Sequence, residues 1–137
     1  MAKPTVFSNL QATELLSSKA TVTTKTTASA VTFTAAELLG GLVLRDPNGA
    51  SRADKVPSAA TIYAAMGSPV KFDGMSFVFT IRNTADAAET ITLTTDTGAT
   101  MTMSGTMTIA QNNSKTFRVV LTSATAATVY SLGTVVH

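Results

Sequence analysis

The sequence predicts a mainly β protein: an antiparallel sandwich or barrel with one or two short helices and an extended N-terminal arm. Three observations predict it. From Met75 onward apolar residues recur at every second position, the period of strands that bury one face. Turn-forming clusters interrupt that pattern every 10–14 residues or so, as in antiparallel sandwiches. Threonine supplies about one residue in five, and its β-branched side chain favours extended backbone.

Residues 1–20 are weakly patterned. Thr21-Val-Thr-Thr-Lys-Thr-Thr27 is nearly all β-branched with little to bury, so it needs a neighbouring strand, its own or a partner's. It reads either as a frayed terminus or as an arm that adds to another subunit's sheet edge. The expected division is an arm over 1–30 and a β-rich body over 31–137. Val31 and Phe33 alternate as in a strand. Thr34-Ala-Ala-Glu37 matches a capping box, in which the hydroxyl and the carboxylate each satisfy the other residue's backbone N–H. The helix it opens lasts about one turn, because Gly40-Gly41 follows. Residues 41–45 form an apolar run, and Asp46-Pro-Asn-Gly49 is a turn. Ser58 caps a second short helix over 59–66, with Gly67 just past its end.

Six short strands follow. Phe77, Phe79 and Ile81 alternate with Ser76, Val78, Thr80 and Arg82. After a turn over 83–88, Ile91 and Leu93 alternate with threonines, and Asp96-Thr-Gly98 turns the chain. Met101 and Met103 form the next inward row, Met107 and Ile109 the one after Ser104-Gly105, and Phe117, Val119 and Leu121 the one after residues 111–114. A loop over 122–127 leads to a last strand over 128–132.

Charged residues make up 13 % of the 137-residue chain, against about 25 % in an ordinary soluble domain. So few charges for so much surface suggest that part of it faces another protein in the working state. The ten Lys and Arg residues form no run and are not interleaved with aromatics, so no nucleic-acid partner is expected. No stretch of 18 apolar residues occurs, so no membrane span is expected, and Met1-Ala-Lys-Pro4 opens no signal peptide.

The residues offer little chemistry. Cysteine is absent and the single histidine is His137, which leaves no thiolate, no histidine triad and no multi-histidine zinc site. Asp86 and Glu89 flank one turn, but nothing marks them as a catalytic pair across a cleft, and they read as solvated. Asp46-Pro-Asn-Gly49 with Asp54 resembles a calcium loop only faintly, since Pro47, Arg45, Arg52 and Lys55 spoil the spacing and the charge. Those three cations form a loop that faces either solvent or an acidic partner. Gly40-Gly41 lacks the later glycine and lysine of a phosphate cradle. The Thr-x-Thr motifs at 92–94, 95–97, 100–102 and 106–108 are spaced too irregularly for an ice-binding ladder. No catalytic residue, cofactor or metal is expected.

The block Phe33-Thr-Ala-Ala-Glu-Leu-Leu-Gly-Gly-Leu-Val-Leu-Arg-Asp-Pro-Asn-Gly-Ala-Ser-Arg52, with Pro57-Ser-Ala-Ala-Thr61, Phe79-Thr-Ile-Arg-Asn-Thr84, Ile109-Ala-Gln-Asn-Asn-Ser-Lys115 and Val129-Tyr-Ser-Leu-Gly133, resembles modules of tailed-bacteriophage virion proteins. The resemblance spans residues 30–137. It implies a head-decoration (cement) protein, a small β-rich homotrimer on the capsid surface whose partners are its own copies and the major capsid protein. It implies synthesis in a host cytoplasm and residence in the virion. On this reading the arm grips the capsid or a sibling subunit through Lys3, Phe7, Leu10, Thr21, Val22, Thr23 and Lys25, and Arg45, Arg52 and Lys55 form a partner-facing loop. The alternative is a receptor- or carbohydrate-binding module of a fibre or spike. Only 6 % of the residues are aromatic, few for stacking on sugars.

Overall fold

A computed structural model describes residues 20–67, 73–96 and 100–137. Nine strands and two short helices follow in the order β1 (Thr21–Lys25), α1 (Ala35–Leu39), β2 (Gly41–Arg45), β3 (Arg52–Val56), α2 (Ala59–Ala65), β4 (Ser76–Asn83), β5 (Ile91–Thr95), β6 (Met101–Ser104), β7 (Thr108–Ile109), β8 (Asn113–Leu121) and β9 (Ala127–Val136). A six-stranded sheet has the order β1-β2-β4-β8-β9-β6, and a three-stranded sheet the order β3-β5-β7. The mainly β class and the two helices are as expected. Lys3, Phe7 and Leu10 lie outside the described residues.

The sheets are mixed, not purely antiparallel. β4 with β8, β8 with β9 and β5 with β7 run antiparallel, while β1 with β2, β2 with β4, β3 with β5 and β6 with β9 run parallel. Parallel neighbours need a crossover, and α1 lies within the one that joins β1 to β2. At the end of α1, a Cβ on Gly40 would sit 2.8 Å from the Thr21 carbonyl oxygen. Gly41 then turns into β2 at φ +92°, a region that glycine alone enters freely.

The inner face of the large sheet meets the small sheet and the helices. Its core holds Phe33, Leu38, Val43, Ile62, Phe79, Ile81, Ile91, Leu93, Ile109, Phe117, Val119 and Leu121, each at most 2 % exposed. Phe79 and Phe117 stand opposite each other across β4 and β8 and stack at 5.3 Å between ring centres. The capping box forms as the sequence predicts: Glu37 N–H donates to Thr34 Oγ1 and Thr34 N–H to Glu37 Oε2. The Ser58 cap also forms, but α2 ends at an extended Met66. β8 and β9 outrun their expected lengths, and β9 reaches Val136.

Candidate interaction surface

The period of two that fills the core also fixes what faces away from it. On β4 and β8, Val78 stands opposite Arg118, Thr80 opposite Thr116 and Arg82 opposite Ser114, all on the outer face of the large sheet. Tyr130 of β9 stands beside Arg118. Leu42 and Leu44 of β2 carry the face towards β1, where Val22 stands beside Leu42. Val78, Tyr130 and Val22 are 40–56 % exposed. Arg118 donates to Ser76 Oγ at 3.1 Å, and among the described residues neither Arg118 nor Arg82 has a carboxylate partner. None of the described Asp and Glu residues lies within the six strands of this sheet. The result is an apolar and hydroxyl-bearing surface whose described strands carry two cations and no Asp or Glu.

β1 is the edge of this sheet and is paired within its own chain. Thr21 N–H donates to the Gly40 carbonyl, Asp46 N–H to the Lys25 carbonyl, and Lys25 Nζ lies 2.9 Å from Glu37 Oε1. Burial pushes the Glu37 carboxyl up, but the Thr34 backbone N–H and the Lys25 ammonium outweigh it and hold it below its ordinary value. Of the residues expected in the arm, Thr21, Thr23 and Lys25 are therefore tied to the body, and the Val22 side chain stands free on the outer face.

Behind β1 lies a buried polar layer. Arg45 and Asp54 are both fully buried, with Arg45 Nε 2.7 Å from Asp54 Oδ2. The Arg45 terminal nitrogens also donate to the carbonyls of Thr27, Ser29 and Asp46, and Asp54 Oδ1 accepts from Val31 N–H. Here the structure corrects the partner-facing loop. Arg45 points into the protein because it shares the inward parity of Val43, and its donors are spent on this cage. Arg52 is half-buried against the Pro47 carbonyl, and Lys55 faces Asp96 at 3.5 Å on the outer side of the small sheet. The three cations do not converge.

Glu89 is also buried, unlike the solvated turn residue expected, and its Oε1 accepts from Gly49 N–H at 2.7 Å. Asn83 spans the carbonyls of Glu89 and Ile109. Lys115 donates to the Thr106 and Thr108 carbonyls, and burial pushes its ammonium below the ordinary lysine value. These groups fasten loops to the core. A signal for three of them was present: Arg45, Asn83 and Lys115 each sit two residues from a buried apolar residue of the same strand, at Val43, Ile81 and Phe117.

Ser114 Oγ lies 2.9 Å from His137 Nε2, a contact the sequence reading missed because 23 residues separate the two. Both lie towards the surface. No group of three or more His, Asp and Glu among the described residues is placed to hold a metal ion. No described helix is long and apolar enough to cross a membrane. Comparison with protein-family models, with curated proteins and with solved structures finds no match.

Proposed function

We propose that the chain is a non-enzymatic structural protein that works packed against other protein subunits. It sits as a homo-oligomer, a trimer, on the surface of a virion head and clamps neighbouring copies of the major capsid protein. The observation that supports this reading is the outer face of the six-stranded sheet, where Val22, Val78 and Tyr130 are exposed beside Arg82 and Arg118 and the described strands hold no Asp or Glu. A contiguous apolar patch rimmed by polar groups marks a protein contact. Arg82 and Arg118, without a carboxylate partner among the described residues, call for carboxylates on the partner, which set register and exclude other surfaces. At about 25 cal/mol per Å² of apolar area, a few hundred Å² gives several kcal/mol gross. Association costs about 4–15 kcal/mol, so one copy holds weakly and joined copies hold by avidity.

The fibre-tip alternative draws less support. A sugar platform needs exposed rings, and of the two tyrosines Tyr130 is exposed while Tyr63 packs against the core. The test uses heads of the phage that encodes the chain, assembled with its gene deleted. Wild-type protein added back should sediment with the heads at a fixed ratio and raise the temperature at which they release DNA. Val78→Lys with Arg118→Glu should stay in the supernatant while remaining folded. A wild-type protein that does not bind, or a variant that binds as well, overturns the reading.

A further inference from the structure

We infer that β1 of one copy pairs with the free outer edge of β9 in the next copy, so that the chain assembles by running one large sheet into another. The inference deepens the structural reading above and rests on it for the homo-oligomer. β9 runs from Ala127 to Val136, but its outer neighbour β6 pairs only with residues 127–130. Among the described residues, the six that follow pair with β8 on one side and have no strand on the other, which leaves a notch in line with the end of β6, past Gly105 beside Ser131. β1, at the other edge of the same sheet, has β2 as its single neighbour among the described strands.

The hydrogen-bond phases of the two edges match. Thr21 N–H and the Lys25 carbonyl point to the β2 side, so the backbone groups of Val22 and Thr24 point outward. His137 N–H donates to the Asn112 carbonyl on the β8 side, so the groups of Thr134 and Val136 point into the notch. Directions match as well. β1 runs with β2 and β4, β8 runs against β4, and β9 runs against β8, so β1 and β9 point the same way. A parallel register with Val22 opposite Gly133 and Thr24 opposite Val135 lies just past the bulge at Leu132 and brings Thr24 N–H to the Thr134 carbonyl. In return, Thr134 N–H meets the Val22 carbonyl and Val136 N–H the Thr24 carbonyl.

Side chains agree with this register. A Cβ at Gly133 would meet nothing within 4 Å, so the position offers space beside it for Val22. Among the described residues, four of the six exposed large hydrophobics (Val22, Leu132, Val135 and Val136) lie on these two edges, at 54–76 % exposure. Neither edge segment carries a proline, and the one lysine, Lys25, is engaged by Glu37. Edges that stay apart are guarded by such residues. Because the two surfaces differ, the contact is head-to-tail, and repetition closes a ring when the rotation between copies permits.

The test uses engineered cysteines, which read cleanly in a chain with none of its own. Neighbouring strands lie about 4.8 Å apart, within the span of a disulfide. Full-length Val22→Cys and Gly133→Cys proteins, mixed and oxidised, should give a mixed disulfide, and the double variant a ladder ending in a closed oligomer. Val22→Pro and Thr134→Pro each remove an outward N–H without touching the chain's own ladder. Both should stay folded and elute as monomers where wild type elutes as the ring. A monomeric wild type at its highest soluble concentration, or no mixed disulfide, overturns the inference. Rings that survive both proline variants overturn it too. Monomeric wild type that still coats heads defeats this contact alone; rings that ignore heads defeat the capsid reading alone.

Discussion

Replacing Asp54 by Asn removes one charge from the buried layer and almost no volume. It leaves the Arg45 guanidinium fully buried among the carbonyls of Thr27, Ser29 and Asp46 without its anion. Breaking a buried pair by removing one partner costs about 3–5 kcal/mol. At about 2.1 cal/mol/K per residue, the 137-residue chain has an unfolding entropy near 0.29 kcal/mol/K. The expected fall in Tm is therefore about 10–17 °C. Thermal unfolding followed by circular dichroism at neutral pH measures it. The double variant Arg45→Met, Asp54→Leu should recover part of the loss: it leaves no uncompensated charge, but the Thr27, Ser29 and Asp46 carbonyls and Val31 N–H lose their partners. A single variant that loses less than about 3 °C would mean that water reaches the guanidinium. A double variant no better than the single one would refute the charge argument itself.

Other outcomes follow from the same contacts. Val78→Lys with Arg118→Glu should change stability by no more than about 0.5 kcal/mol, since both side chains are on the surface, and urea unfolding checks this. Glu37→Ala should cost about 1 kcal/mol at neutral pH. The Glu37 carboxyl is held below its ordinary value of 4.5, so its stabilisation is full above that value and is lost as pH falls through the lowered one. The gap between wild type and Glu37→Ala should accordingly close in acid. Lys115 shifts the other way along the scale: its folded value lies below 10.5, so the unfolded chain keeps the proton longer and stability rises with pH through that alkaline window. Lys115→Met should lack that rise, and urea unfolding at several alkaline pH values will show whether it does.

The inward rows of β4 to β8 were legible because a strand that buries one face writes its period directly, as Phe77, Phe79 and Ile81 do. The caps at Thr34 and Ser58 were legible because capping is local. Pairing direction was not, since a half-buried strand alternates alike in parallel and antiparallel sheets. The burial of Arg45, Asp54, Glu89 and Lys115 was not legible, because charge is rarely buried and each is held by a partner that local pattern does not reveal, as Arg45 is by Asp54 and Thr27. Thr21–Lys25 showed its need for a neighbour, and β2 of the same chain meets it on one side only. The outer face had left a trace: Val78, at an outward position between Phe77 and Phe79, is apolar where hydroxyls or charges would suffice.

A cryo-EM map of heads carrying the protein tests the docking claim most directly. The outer face of the six-stranded sheet should lie against capsid protein, with acidic side chains reaching Arg82 and Arg118. A map in which that face points into solvent, with the three-stranded sheet or the helices seated on the shell, would contradict it.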